Sequence, residues 1–95
     1  MRKYDIRGTK AYRKDYKRLA KSGCNMQKLQ TVVDILASGD PLSDQYRDHP
    51  LHGPFEGSQE CHIGPDWLLR YKKDDGRLIL ILIRTGTHRD VLGIE

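Results

Sequence analysis

The stretch "CHIGPDWLLRYKKDDGRLILILIRTG", residues 61–86, decides how the chain must fold. Pro65 divides the alternating segment "GSQECHI" from "DWLLRYK", and Asp75-Gly76 signals a second reversal before an unbroken apolar run. The first segment sends Cys61 and Ile63 to one face, with Glu60 and His62 on the other. The second places Trp67, Leu69 and Tyr71 on one side, and Leu68 and Arg70 opposite them. The third, residues 77–84, is apolar on both faces, as befits an inner strand covered on both sides. These three strands predict an antiparallel meander whose apolar face needs a cover.

The cover lies upstream. "KYDIR" reads as a short first strand that can join the same sheet. In "TKAYRKDYKRLAKSG", Tyr12, Tyr16 and Leu19 share a helical stripe among basic residues, and Gly23 is a natural terminator. Asn25 can cap a second helix carrying Met26, Leu29, Val33 and Leu36, which "SGDP" stops. A three- or four-residue turn between them predicts an antiparallel helix pair. From Gly39 to Pro54 no period persists, so the prolines and glycines predict a long ordered loop or a set of turns. The fold class is α+β, in one domain spanning residues 1–95, because so short a chain has room for one modest core.

Charge narrows the function without naming it. Lys and Arg total 17 against 13 Asp and Glu, a formal +4 that favours an anionic partner. "LILILI" at 78–83 is too short to span a bilayer, so a cytoplasmic protein without membrane attachment is expected. Cys24 and Cys61 do not make a disulfide framework. No phosphate-binding glycine loop, dinucleotide fingerprint or zinc-finger spacing is present.

Topology gathers the reactive groups. An antiparallel hairpin brings Asp66 and Arg84 to one edge of the sheet, with His62 across the turn and "RTGTH" (84–88) turning back beside them. "DHPLHG" in the long loop can fold over that end and bring His49 to it. Histidines and an arginine suit RNA cleavage by its own 2′-hydroxyl, which needs a base, an acid and a cation for the phosphate. Imidazole titrates near ~6.5 and serves in either role, while guanidinium can engage phosphate oxygens bidentately. Which histidine is acid and which is base stays open at this stage.

Each residue also has a purely structural use. His62 can be a strand residue, His49 can set turn geometry ahead of Pro50, and His88 can cap a terminal helix. Asp66 can bond local amides, Trp67 can be core or pocket wall, and Thr85 and Thr87 are ordinary strand residues with spare hydroxyls. Arg70 can be solvated or bind phosphate. His49, His52, Cys61 and His62 total four metal-ligand types, but Cys61 and His62 point apart on a regular strand, so no metal and no cofactor is expected.

The segments "YRDHPLHGPFEG", "CHIGPDWLLRYK" and "LILILIRTGTHRDVLG" together resemble the YafQ branch of the RelE/ParE superfamily of bacterial toxins. The resemblance implies a compact RNase-like fold and a ribosome-dependent endoribonuclease that cuts messenger RNA in the decoding site. It implicates His49, His62, Asp66 and His88 in catalysis, Arg84 in phosphate contact and Trp67 in a structural or pocket role, while Arg70 and Thr87 are candidates for phosphate or substrate binding from their own chemistry. A ribosome-positioned enzyme needs only moderate charge, and Arg13, Lys14, Lys17 and Arg18 on the first helix can meet ribosomal RNA. The implied partners are the ribosome, translated messenger RNA and a cognate antitoxin, the toxin alone being monomeric and its antitoxin complex of higher order. Leu92 stands where the branch carries a terminal aromatic. The alternatives are a non-catalytic inhibitor of translation or another target, and a metal-assisted phosphodiesterase.

Overall fold

A computed structural model describes residues 2–92. Strand β1 (Asp5–Gly8) leads into helices α1 (Lys10–Lys21) and α2 (Met26–Ala37), followed by a strap with a two-residue strand β2 (His49–Pro50). The meander is β3 (Gln59–Gly64), β4 (Trp67–Asp74) and β5 (Ile79–Gly86), and a short α3 (His88–Leu92) closes the described chain. The sheet order is β1-β5-β4-β3-β2. β1 runs parallel to β5, and the other neighbours are antiparallel.

Local chemistry starts and stops the helices where expected. The Thr9 hydroxyl accepts from the Tyr12 amide to cap α1, and the Asn25 side chain accepts from Gln27 to cap α2. Each helix is followed by a left-handed glycine, Gly23 at φ 84° and Gly39 at φ 83°, whose amides return to carbonyls of the last turn. The two helices follow one another through the four-residue turn 22–25, as predicted of the pair. α1 packs on β5 and α2 on β3, and the inward face of α1 offers Tyr12 and the carboxylate Asp15. Tyr16, predicted to share that stripe, is exposed.

One face of the sheet carries the core. Cys61, Ile63, Leu69, Tyr71, Leu80 and Leu82 meet Leu29, Val32, Val33 and Leu36 of α2. Leu68 and Val91 are buried outside this cluster, where α3 packs on the ends of β4 and β5. The last strand begins at Ile79, two residues later than predicted, since Arg77 and Leu78 belong to the turn. Leu78, not Gly76, takes the positive φ (56°) of that turn. The register of β4 and β5 shifts between Arg70 and Tyr71, so Ile83 is the extra residue and Arg84 returns opposite Arg70.

The long segment after α2 is more ordered than a set of turns. His49 and Pro50 pair with Glu60 and Gln59 and so extend the sheet by an edge strand. The Leu51 amide donates to the Ser58 carbonyl, and the buried Tyr71 hydroxyl donates to the Asp48 carboxylate. These bonds fix the strap beside the meander.

Candidate active site

Strand register builds the site from sequence-distant residues. Cα partners across a sheet point to the same face. His49 pairs with Glu60, Glu60 with Arg70, and Arg70 with Arg84, so these four side chains form one row across β2, β3, β4 and β5. His62 pairs with Leu68 and lies on the same face, one step nearer the β3–β4 turn. Asp66 sits in that turn, and His88 starts α3 just past the end of β5.

Three imidazoles therefore line up. His49 and His62 have ring centroids 6.3 Å apart, and His62 and His88 are 6.0 Å apart. His88 Nδ1 lies 2.7 Å from Asp66 Oδ1, and the His88 amide donates to the same oxygen at 3.3 Å. This contact holds the Asp66 carboxyl below the usual carboxylate range, first through the ring and then through the amide. An ionised Asp66 requires hydrogen on Nδ1 and leaves Nε2 facing outward for proton transfer. Of the four predicted catalytic residues, all are brought to one rim.

Glu60 is the residue that sequence reasoning passed over. It is buried, with Oε1 3.3 Å from His49 Nε2 and 3.7 Å from His62 Nε2, and its Oε2 has no hydrogen-bond partner among the described residues. The signal was present: strand alternation already placed Glu60 on the face of His62. Burial lowers the His62 pKa; Glu60 opposes that shift, while Arg47, His88 and His49 reinforce it. The net effect favours neutral imidazole.

Asp15 is a second unpredicted participant. β1 ends before β5 does, and Asp15 of α1 occupies the uncovered edge, accepting from the Thr85 amide at 3.2 Å. The same carboxylate accepts from Arg84 Nε at 2.6 Å and Nη2 at 3.1 Å. The bidentate fork expected to grip phosphate thus grips Asp15, and Nη1 is the part left for substrate. Only the tertiary placement of a helix against a strand 69 residues away makes this visible.

The other expected contacts divide between scaffold and surface. Trp67 donates its indole N–H to the Thr85 hydroxyl, which in turn donates to the Leu68 carbonyl, so both side chains are tied into the sheet. Thr87 caps α3: its hydroxyl accepts from the Asp90 amide while Asp90 accepts from the Thr87 amide. Arg70 lies 4.4 Å from the Phe55 ring centre and donates to the Val91 carbonyl. Gly86 is demanded by crowding, since a Cβ there would sit 2.7 Å from Asp90 Oδ2 at φ 145°. On α1, Arg13, Lys14 and Lys17 are exposed, whereas Arg18 is engaged by Asp15 and Asp90.

His52 is exposed and outside the imidazole row, and Cys61 is turned into the core, where burial pushes its thiol pKa up. The metal-ligand set weighed from sequence therefore does not assemble. A different one does: ligand atoms of His49, Glu60 and His62 lie within 4.8 Å of one another. Two imidazoles and a carboxylate are a recognised donor set for zinc and other divalent transition metals.

Comparison with known proteins agrees with this architecture. Residues 4–93 match the family described as "Bacterial toxin of type II toxin-antitoxin system, YafQ". The chain is 39% identical to the mRNA interferase toxin YafQ of Escherichia coli K12, over 94% of this chain and 96% of that one. It superposes on a chain of the E. coli DinJ–YafQ toxin–antitoxin complex with a TM-score of 0.86, at 38% identity over 96% of this chain and 99% of the other. A metal-bound toxin from Helicobacter pylori gives a TM-score of 0.87, at 39% identity and coverage of 93% and 98%. With a shared fold and a match running through nearly its whole length, the chain belongs to the YafQ family of bacterial toxins of type II toxin–antitoxin systems.

Proposed function

We propose that this protein is an mRNA interferase, a ribosome-dependent endoribonuclease that cuts translated messenger RNA in the ribosomal A site. The observation that carries the reading is the row His49–His62–His88, with Asp66 fixing one end and Arg70 and Arg84 on the same face. The substrate 2′-oxygen attacks the adjacent phosphorus, and neutral His62 takes its proton. The bond to the 5′-oxygen breaks, and His88, entering the step with both ring nitrogens protonated and held by Asp66 through Nδ1–H, supplies that oxygen with the proton of Nε2 and is left neutral. The products are a 2′,3′-cyclic phosphate and a 5′-hydroxyl. Arg84 Nη1 and Arg70 offset the charge gathered on the phosphate oxygens, while His49 and Glu60 set the field around His62.

The ribosome supplies position and effective concentration, which accords with the moderate charge of the chain. The exposed Arg13, Lys14 and Lys17 suit contacts to ribosomal RNA backbone. A cognate antitoxin is the protein partner, as the DinJ complex of the E. coli relative supports.

One observation favours a second reading. His49, Glu60 and His62 fit a divalent cation by donor type and spacing, and a structural relative is described as metal-bound. A cation held there would occupy imidazole nitrogens that the first reading uses for protons, so the two readings predict opposite responses to metal.

Primer extension on messenger incubated with ribosomes tests both. The protein is expected to generate new ends with a 2′,3′-cyclic phosphate, and His88→Ala, checked to be folded, to cut about 10²–10⁴-fold more slowly. Added Zn²⁺ should slow cleavage, and a zinc-selective chelator that leaves ribosomal magnesium in place should restore it. A translation block without new ends, or cleavage that the chelator abolishes, defeats the first reading.

A further inference from the structure

Beside the imidazole row lies a cleft of about 650 Å³, lined by Lys28 and Thr31 of α2, Gln45, Tyr46 and Arg47 of the strap, and residues 63–65 where β3 enters its turn. His62 forms part of its wall, so the cleft opens onto the catalytic rim. Its volume falls in the range of roughly 300–1,000 Å³ typical of ligand sites. Lys28 and Arg47 make no ion pair among the described residues, in contrast to Arg7, Arg18, Arg77 and Arg84, whose charges are met by carboxylates.

Arg47 is held there by construction. Its backbone is left-handed, at φ 47° and ψ 47°, a conformation that disfavours side chains and persists only where neighbours enforce it. The enforcing contacts are visible. Its amide donates to the Asp44 carbonyl, and the next residue, Asp48, is pinned by the Tyr71 hydroxyl from within the core. Asp48 and Tyr71 are the aspartate of D-H-P-L and the tyrosine that ends P-D-W-x-L-x-Y, two residues to which the cleavage chemistry gives no task. The guanidinium is close enough to His62 to disfavour its protonated form.

We infer that this cleft is an RNA subsite, in which Arg47 and Lys28 receive the phosphate next to the cleaved one while Tyr46 faces the nucleoside it carries. The inference rests on the endoribonuclease reading and extends it. A strand whose scissile phosphate lies at His62 must leave the rim, and this exit carries two unpaired cations, amide and hydroxyl hydrogen-bonding groups, and apolar surface in one cavity. Cations meet the backbone without reading sequence, and ring and aliphatic surfaces accept a base face.

The test uses a ¹⁵N-labelled protein titrated with an all-2′-O-methyl hexanucleotide, which cannot be cleaved by 2′-attack, together with ribosome-dependent cleavage assays. Amide shifts are expected at Lys28, Gln45, Arg47 and Gly64. The pair Lys28→Ala with Arg47→Ala should weaken RNA binding about tenfold or more and lower the salt slope of log affinity by about 1.4. Arg7→Ala with Arg77→Ala removes equal charge elsewhere and should change neither. In the ribosome assay the cleft variant should lose its rate at low enzyme concentration and recover much of it at saturation. Shifts confined to α1, shifts produced only by an acidic peptide, or RNA binding unchanged in the cleft variant would overturn the inference. Cleavage by the parent with an unaffected cleft variant sinks the subsite alone; RNA mapped to the cleft without any cleavage sinks the endoribonuclease reading alone.

Discussion

Two carboxylates hold functional side chains near the end of β5, in opposite surroundings. Asp15 has a side chain only 2% exposed and binds Arg84, Arg18 and the Thr85 amide. Asp66 has a side chain 65% exposed and, among the described residues, binds only His88. Burial pulls the Asp15 carboxyl upward, yet its bonds to Arg84, Thr85 and Arg18 outweigh that and leave it below the ordinary value. Asp66 reaches the same direction of shift through His88 with little burial to oppose it. The difference teaches that one carboxylate is built into the stability of the α1–β5 junction, while the other fixes His88, the proton donor of the proposed mechanism, at small structural cost.

The largest expected effect breaks the buried member. Asp15→Ala leaves Arg84 and the Thr85 amide without their partner and should lower unfolding free energy by about 3–5 kcal/mol, measured by denaturant titration. Asp15→Asn should cost less, because an amide oxygen still accepts from Thr85. The pH dependence has a definite sign. The folded carboxyl titrates below the unfolded value of about 3.9, so the unfolded chain binds more protons near that pH. The stabilisation is present above about pH 4 and is lost as pH falls through the folded value, a loss that Asp15→Asn should not show.

A smaller effect, of a different kind, is expected at the exposed member. Asp66→Asn keeps size but gives up the charge that orients His88 through its Nδ1 hydrogen, and cleavage should fall about ten- to a hundredfold. Its unfolding transition should stay where it is, as a thermal scan will show. A parallel loss of stability would erase the contrast with Asp15.

The smallest effect sharpens the picture of Glu60. Burial, opposed by Glu60, holds the His62 pKa below its ordinary value, so the acid limb of the pH–rate profile should lie below about 6.5. Glu60→Gln removes the group that favours protonated His62, and the limb should move further down. Movement to higher pH would show that Glu60 acts on His62 in some other way.

Much of the scaffold was legible because its signals are local. Asn25 and Gly23 mark helix ends through backbone geometry within a turn, and strand alternation separates Cys61 from His62 whatever the rest of the chain does. The rim of His62, Asp66 and His88 was also legible, since a meander with turns at Pro65 and Asp75 leaves few other places for them. Asp15 was not legible: at its position in α1 an aspartate reads as one more solvated charge until β5 is laid beside it. The pairing of His49 with Glu60 was hidden for a similar reason, because two residues carry no periodicity.

By itself the sequence determined the element types, the side of each strand that is apolar, and the histidines and arginines available for chemistry, all of which depend on neighbours a few positions away. Tertiary structure alone decided that β1 runs parallel to β5, that Ile83 is the extra residue returning Arg84 to the face of Arg70, and that Arg84 is already held by Asp15. Those outcomes follow from which backbone groups and charges are left unpaired when distant segments meet, and no local pattern of residues carries that information.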